Sequence, residues 1–316
     1  VMIWPMALIW FFSWIRPALA YSALPKAPDI DSAAFVGELR AADARMFRGI
    51  DQLLSTPIEP KRAVLLHELV DQVVAESQSV LAACERTGSS FDPTFHWLDR
   101  VSKGDDSFDA RFEGASLEKI ALRRRLEKAR DEAERRRSEI NSAKEKDKAT
   151  SRETIERLVA TVKASEAAVD AVADSFRSLE DERQIARRKS SHARQARSEL
   201  AAACEVIASL TVQISTAARV LKIDVAALGT PPEERARGAV YRALDALLDS
   251  ARQAHFHAGQ SLERSGHVIE GYAGARKAID AFWARDAQCK ALLLDADASL
   301  KRLVATIPKP RPTDGP

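Results

Sequence analysis

The stretch "VAALGTPPEERA", residues 225–236, decides the fold expected of this chain. Gly229 stands where a helix is expected to end, because glycine accepts the left-handed backbone conformation that closes a helix. Thr230 and Glu233 have the spacing of a capping box, and Pro231 stands at the first helical position of the segment that follows. The stretch therefore predicts a tight turn between two helices.

The segments on either side of this turn each keep a single heptad phase. Apolar side chains recur with 3.5-residue spacing from Ile155 to Leu228, and again from Val240 to Ile307. Two helices of similar length joined by a short turn predict an antiparallel coiled-coil hairpin about 110 Å long, in which the numbers of facing residues sum to about 461. The phase weakens over 183–197, which would face the glycine-containing stretch 264–278, so we expect the middle of the hairpin to be loosely packed.

The fold class predicted for the whole chain is all-α: an elongated helical bundle built on this hairpin. The hairpin spans 151–307 with its turn at 229–232. A helix over 115–148 folds back on it after a turn near 146–151, where Thr150 and Glu153 form a further capping box. The predicted order before and after these elements is a segment 1–20, a linker 21–30, an N-terminal helical region 31–112 and, at the end, a disordered tail 308–316.

Three helices are expected within the region 31–112. The first runs to about Leu54 and presents an apolar stripe formed by Phe35, Leu39, Ala42, Met46 and Ile50. The second starts at a capping box, Thr56 to Glu59, and runs to about Cys84. A loop over 86–95 leads to a short helix beginning at Asp92, and the stretch "SKGDDSFD", residues 102–109, ends that helix.

The apolar stretch "MALIWFFSWI", residues 6–15, bears on the location of the protein. Its length is typical of the core of a signal peptide, and the small residues Ala18 and Ala20 that follow allow cleavage before Tyr21. An uncleaved membrane anchor, an inserting helix of a toxin and a buried core helix are the alternatives. The preferred location is the periplasm or the outside of the cell, and the alternative is a membrane anchor formed by residues 1–24.

The composition favours long solvated helices. Charged residues make up 30% of the chain and aromatic residues 6%, and 48 Lys and Arg stand against 46 Asp and Glu. This balance, with both signs interspersed, argues against a nucleic-acid partner. The three cysteines do not form a disulfide framework. Pairing of Cys204 with Cys289 is excluded by the predicted register, whereas Cys84 is left free to pair with either one or to stay reduced.

Motifs for catalysis or for metals are weak throughout. His67 and Asp71 provide only half of a metal site, His255 and His257 point to different helix faces, and the calcium-like spacing from Asp105 lacks the required glycine and glutamate. We therefore predict no cofactor, no metal and no enzymatic activity; a helical enzyme with dispersed catalytic residues is the alternative. The best candidates for contact with an anionic surface are arginines of three clusters: Arg123, Arg124, Arg135, Arg136, Arg187 and Arg188.

These patterns together predict an exported, non-catalytic coiled-coil scaffold or interaction protein of the bacterial envelope. Its partners would be another protein or a second copy of the chain, bound through coiled-coil surfaces, with membrane contact as a further expectation. The alternatives are a helical component of a pore-forming toxin and a membrane-anchored coiled coil that interacts with lipid.

Overall fold

The computed structural model describes residues 26–29, 32–142, 148–228 and 233–309. All regular structure in these ranges is helical, so the predicted all-α class is confirmed. A 3₁₀ turn at Pro60–Arg62 precedes the second of the six α-helices that the described residues form: α1, Ser32–Ser55; α2, Ala63–Ser90; α3, Asp92–Ser102; α4, Phe108–Ser142; α5, Lys148–Ala226; and α6, Glu233–Thr306. The predicted segment 1–20, the cleavage site Ala18, Ala20 and Tyr21, and the turn at 229–232 lie outside the described residues.

Two capping boxes predicted from the sequence are wrong. Thr56 closes α1 instead of opening α2, because its hydroxyl donates to the carbonyl of Gln52 at 2.8 Å. Glu59 makes no capping hydrogen bond, and α2 starts only after the 3₁₀ turn. Thr150 already lies inside α5, which begins at Lys148. In both places the local spacing was right, but the helix boundary falls elsewhere.

The loop predicted over 86–95 is also absent, since α2 continues to Ser90 and α3 begins at Asp92. Burial explains the continuation: Thr87 and Phe91 are fully buried. The Thr87 hydroxyl lies 2.8 Å from the carbonyl of Ala83 and 3.4 Å from that of Phe35, which ties this end of α2 to α1. Contacts with another helix thus override the turn-forming tendency of the serines and glycine.

The fourth helix begins at Phe108, seven residues before the predicted start at 115. Ser107 acts as its N-cap, because its hydroxyl oxygen accepts a hydrogen bond from the amide of Ala110 at 3.2 Å. Gly104 provides the positive φ of 96° that the preceding turn requires. A serine cap satisfies an amide that would otherwise lack a partner in the first turn, so the helix starts at the cap.

The chain divides into two compact units, and both long helices contribute to each. Unit 1 comprises residues 1–99 and 189–273, and unit 2 comprises residues 100–188 and 274–316. The first unit therefore contains α1, α2 and most of α3, and the second contains α4.

In unit 1, α2 runs antiparallel to both α1 and α5. Two ion pairs show that α2 is antiparallel to α1: Arg45 of α1 bonds Glu76 at 2.9 Å, and Arg86 of α2 bonds Glu38 at 3.1 Å. The second pairing includes a bond of 3.5 Å from the hydroxyl of Thr211 to the carbonyl of Ser77.

The long helices α5 and α6 also touch each other in unit 1. Arg264 bonds Glu199 at 2.9 Å, and the hydroxyl of Ser250 lies 3.5 Å from the side-chain oxygen of Gln213. The numbers of both pairs sum to 463, close to the predicted register of about 461.

In unit 2, α4 packs against both long helices around a group of aromatic side chains. Its contacts with α5 are antiparallel: Phe112 stacks on Phe176 with ring centroids 4.8 Å apart, and Arg130 lies 3.4 Å from Glu166. Toward α6, the ring centroid of Phe108 lies 5.8 Å from that of Phe282. The buried face of α4 carries Leu122, Leu126, Ala129 and Ala133.

The predicted core positions are occupied as expected. Every heptad position predicted from Val240 to Leu303 on α6 is buried, including the polar Ser261, Ser265 and Asp286. The α1 positions Leu39, Ala42, Met46 and Ile50 are buried as well. Heptad spacing therefore identified which face of each helix turns inward.

The expectation of a loose middle is wrong on the unit 1 side. A Cβ atom placed on Gly271 would lie 3.0 Å from the backbone nitrogen, Cα and Cβ of Ala193. Ala193 itself is fully buried, as are Ala254 and Ala258 further along α6. Gly271 and Ala193 allow two helix backbones to approach closely, so these two small residues mark tight packing rather than a gap.

Candidate functional site

A disulfide bond in unit 1 joins Cys84 of α2 to Cys204 of α5. The two residues are separated by 120 positions in the chain, and their Cα atoms lie 5.9 Å apart. Ser261 of α6 lies beside the bond, with its hydroxyl oxygen 3.5 Å from the Cys84 sulfur. The bond therefore crosslinks two helices at a point where a third helix meets them.

This pairing resolves what the sequence left open. Cys84 pairs with Cys204, and Cys289 is free and buried. The exclusion of a bond between Cys204 and Cys289 is confirmed. Sequence reasoning missed the bond because the heptad register relates α5 only to α6 and carries no information on α2.

The free thiol of Cys289 lies in a buried polar group in unit 2. Burial raises the pKa of the Cys289 thiol, an effect that a hydrogen bond with Ser175 opposes and that the nearby Asp286 reinforces. Asp286 is only 1% exposed, and one of its oxygens accepts a bond of 2.7 Å from Lys290. A thiol with a raised pKa stays protonated at neutral pH, which makes it a poor nucleophile.

A histidine–aspartate pair connects α1 to α6 in unit 1. The Nδ1 atom of His255 lies 2.7 Å from Oδ1 of Asp43, and the Phe47 ring lies against the imidazole with centroids 4.9 Å apart. Burial raises the pKa of Asp43 above its ordinary value, although the hydrogen bond with His255 opposes this. No sequence pattern indicates this pair, since the two residues are 212 positions apart.

Arginines of the weak heptad stretch 183–197 form ion pairs over aromatic rings. In unit 2, Asp109 binds Arg183 at 2.7 Å and Arg187 at 3.0 Å, and the guanidinium of Arg183 lies 4.1 Å from the centroid of Phe112. Asp109 belongs to the calcium-like motif rejected above, and in the structure its carboxylate binds two arginines.

The same arrangement recurs in unit 1. Arg197 pairs with Asp92 and covers the ring of Phe95, with 4.6 Å from the guanidinium carbon to the ring centroid. Arg194 bonds Asp99 at 2.9 Å. Guanidinium groups over aromatic faces gain cation–π attraction, and their methylene stems cover apolar surface. The arginines of this stretch therefore cover the apolar rings of the neighbouring helices, although they are not apolar side chains themselves.

The six arginines predicted to contact an anionic surface differ in their environments. Arg123 lies 3.4 Å from Glu127, and Arg135 and Arg136 both pair with Glu132. Hydrogen bonding to Glu139, partly offset by desolvation, raises the pKa of Arg136. Arg187 pairs with Asp109, as above, whereas Arg124 and Arg188 are exposed and make no ion pair among the described residues.

The histidines and acids are not gathered into a metal site in the described ranges. No group of three or more His, Cys, Asp or Glu side chains there has the geometry to hold an ion. Asp71 pairs with Lys222 of α5, and His257 bonds the side chain of Gln260 at 3.1 Å.

One helix of the described part, within Ser151–Ala226, is long and apolar enough to cross a membrane by length and composition. In the structure this helix contributes core positions to both units, among them Leu200, Ile207 and Ile214 in unit 1. Searches of protein-family models, of curated proteins and of solved structures find no match for the chain.

Proposed function

We propose that this chain is an exported, non-catalytic coiled-coil scaffold or interaction protein of the bacterial envelope. The observation that carries the proposal is the bond between Cys84 and Cys204. Disulfides persist in oxidising compartments and are rare in the cytosol, where thiols are kept reduced. The apolar stretch 6–15 followed by Ala18 and Ala20 supports export independently, because it has the order of a cleaved signal peptide.

The scaffold part of the proposal rests on the two long helices. We infer that α5 and α6 form one antiparallel coiled-coil hairpin around the turn at 229–232. Support comes from the single heptad phase that each helix keeps, although it weakens over 183–197, and from contacts inside unit 1 whose residue numbers sum to 463. A contact in unit 2, from the hydroxyl of Ser165 to the carbonyl of Ser299 at 3.2 Å, gives nearly the same sum. A long hairpin offers extended faces to partners, as a scaffold requires.

The compartment is tested on the protein in its native cells. Intact cells are treated with a thiol-alkylating reagent, fractionated, and the chain is identified by mass spectrometry. The expected result is a mature chain beginning at Tyr21 in a soluble envelope fraction, with Cys84 and Cys204 alkylated only after reduction. A cytosolic chain in which both cysteines react without reduction would refute export.

The hairpin is tested by small-angle X-ray scattering of the purified protein. A rod about 110 Å long has a radius of gyration of about 32 Å. A compact domain of this length would have a radius of gyration of about 20 Å. A value near the smaller figure would exclude the hairpin without bearing on export.

A membrane-anchored protein is the second candidate, favoured by the apolar helix within Ser151–Ala226. Against it stands the use of that helix in unit 1, where Cys204 is bonded to α2 and the Thr211 hydroxyl reaches the carbonyl of Ser77. Recovery of the full-length chain in membranes that have been washed with alkaline carbonate would favour this candidate over a soluble scaffold.

A further inference from the structure

The outward face of α4 carries a row of side chains that are apolar toward the start of the helix and basic toward its end. The row consists of exposed residues at helical spacing on one side of the helix, opposite the buried Leu122 and Leu126. We name it the α4 stripe and define it by its members: Leu117, Ile120, Ala121, Arg124, Lys128 and Arg135. The first three members are apolar and the last three are basic.

The apolar half of the stripe lies uncovered. Leu117 is 69% exposed and Ile120 is 43% exposed, and they are separated by less than one helical turn. Apolar side chains gain free energy when a partner removes them from water. Two such side chains next to unpaired cations are therefore a candidate for contact with a surface that is both apolar and negatively charged.

Of the basic half, Arg135 is paired within its own helix, with Glu132 at 3.2 Å. Arg124 and Lys128 make no ion pair among the described residues, although neighbours on other faces do. Arg123 lies 3.4 Å from Glu127, for example, and Arg125 bonds Asp297 at 2.6 Å. Asp131 lies on the same face as the stripe and is its acidic neighbour. Ion pairs on α4 thus occupy Arg123 and Arg125, whereas Arg124 and Lys128 remain as unpaired cations of the stripe among the described residues.

The charge of the whole chain is divided unequally between the units. Unit 2 contains 30 Lys and Arg against 25 Asp and Glu, a net charge of +5, whereas unit 1 contains 18 against 21, a net charge of −3. The net charge of the whole chain is therefore near neutral, although unit 2, which contains the stripe, is basic. A positive unit attracts anionic surfaces over roughly a Debye length, about 10 Å in moderate salt.

We propose that the α4 stripe binds the surface of a membrane that contains anionic lipid. Leu117 and Ile120 enter the boundary between headgroups and acyl chains, and Arg124 and Lys128 contact lipid phosphates. A nucleic acid fits less well, because the stripe has aliphatic side chains and no aromatic ring on which bases would stack. This proposal depends neither on export nor on the hairpin.

The test is co-sedimentation of the full chain with vesicles, either of phosphatidylcholine alone or of phosphatidylcholine mixed with phosphatidylglycerol. The stripe variant is Arg124→Gln with Lys128→Gln. The matched control is Arg152→Gln with Arg157→Gln, which removes the same charge from unit 2 at side chains that are 83% and 73% exposed. A second variant, Leu117→Ser with Ile120→Ser, tests the apolar half, and circular dichroism confirms that each variant is helical.

We expect the full chain to prefer the anionic vesicles and to be released by salt. The charge variant should lose about 30-fold in affinity, from about 5-fold per cation, while the control stays within about 2-fold of the parent. The apolar variant should lose about 10-fold on the same vesicles.

Three results would overturn the proposal. Equal losses in the stripe variant and the control would show that binding follows total charge. Unchanged binding in both would assign it to another segment, such as the apolar residues 6–15. Binding of a duplex oligonucleotide that the stripe variant abolishes, together with no binding to anionic vesicles, would identify a nucleic acid as the partner instead.

Discussion

Removing the bond between Cys84 and Cys204 should reduce the stability of unit 1 more than any change of a surface residue. The bond closes a loop across 120 positions of sequence. In the chain-entropy treatment, a loop of this length restricts the unfolded chain by an amount equivalent to about 5 kcal/mol at 25 °C, which is an upper value for the effect. With a slope of about 2.5 kcal/mol per molar urea, the unfolding midpoint should fall by about 2 M.

The experiment compares the parent with the double variant Cys84→Ala and Cys204→Ala, each with and without reductant. Urea unfolding gives the midpoints, and hydrogen exchange with mass spectrometry locates the change. The reductant should lower the midpoint of the parent and leave the variant unaffected. Peptides around 77–90 and 200–211 should lose protection, whereas peptides of α4 around 118–135 in unit 2 should change little.

Three results would refute this reasoning. If the oxidised parent and the variant unfolded at the same urea concentration, the bond would not constrain the unfolded chain. If reductant shifted the variant as much as the parent, the effect would come from something other than this disulfide. A uniform loss of protection in both units would show that the crosslink acts on the whole chain and not on unit 1.

Four further substitutions have directions fixed by the structure. Gly271→Ala places a Cβ 3.0 Å from the backbone of Ala193 and should cost about 1–3 kcal/mol in urea unfolding, whereas Gly266→Ala meets nothing within 4 Å and should stabilise by up to about 1 kcal/mol. Because burial raises the pKa of Asp43, the parent should lose stability as pH rises from about 4 through that raised pKa; Asp43→Asn should remove this slope, and an unchanged slope in urea titrations at several pH values would contradict it. Burial raises the pKa of Asp297, but its bonds to Lys301 and Arg125 outweigh burial and lower that pKa. Asp297→Asn should therefore reduce the free energy of unfolding by about 1–2 kcal/mol at pH 7 and by little at pH 3. An equal reduction at both pH values would contradict this expectation.

Heptad spacing predicted the inward faces of the helices because burial is periodic along a helix. The core positions from Val240 to Leu303 on α6 and Leu39, Ala42, Met46 and Ile50 on α1 are buried where the spacing placed them, whereas Phe35 and Ile307 are only partly buried. Helix boundaries were predicted less well. The hydroxyl of Thr56 bonds the end of α1, and α2 continues past Cys84 because Thr87 and Phe91 pack against other helices. A capping motif describes a local preference of about 1 kcal/mol, which buried contacts easily exceed.

The polar contacts between distant segments could not be derived from the sequence. Heptad spacing predicts a register only for α5 against α6, the two segments that each keep one phase. It does not fix where α1 and α2 lie, since their register depends on turns and packing outside the heptad pattern. The pairing of Cys84 with Cys204 and that of Asp43 with His255 both involve α1 or α2. Each pair depends on which helices lie side by side in the folded chain.

The stretch 183–197 shows why counting apolar residues underestimates a helical interface. The guanidinium of Arg183 in unit 2 lies 4.1 Å from the ring centroid of Phe112, and that of Arg197 in unit 1 lies 4.6 Å from that of Phe95. Each arginine covers an aromatic ring with its guanidinium and pairs with an aspartate of the neighbouring helix. A heptad pattern scores these positions as polar interruptions, yet an arginine at such a position packs as well as pairs. Arginines at heptad core positions, in a chain that has Asp and Phe close together in another helical segment, therefore indicate a packed helix interface. In such an interface each arginine pairs with an aspartate and covers an aromatic ring, so the packing is not broken.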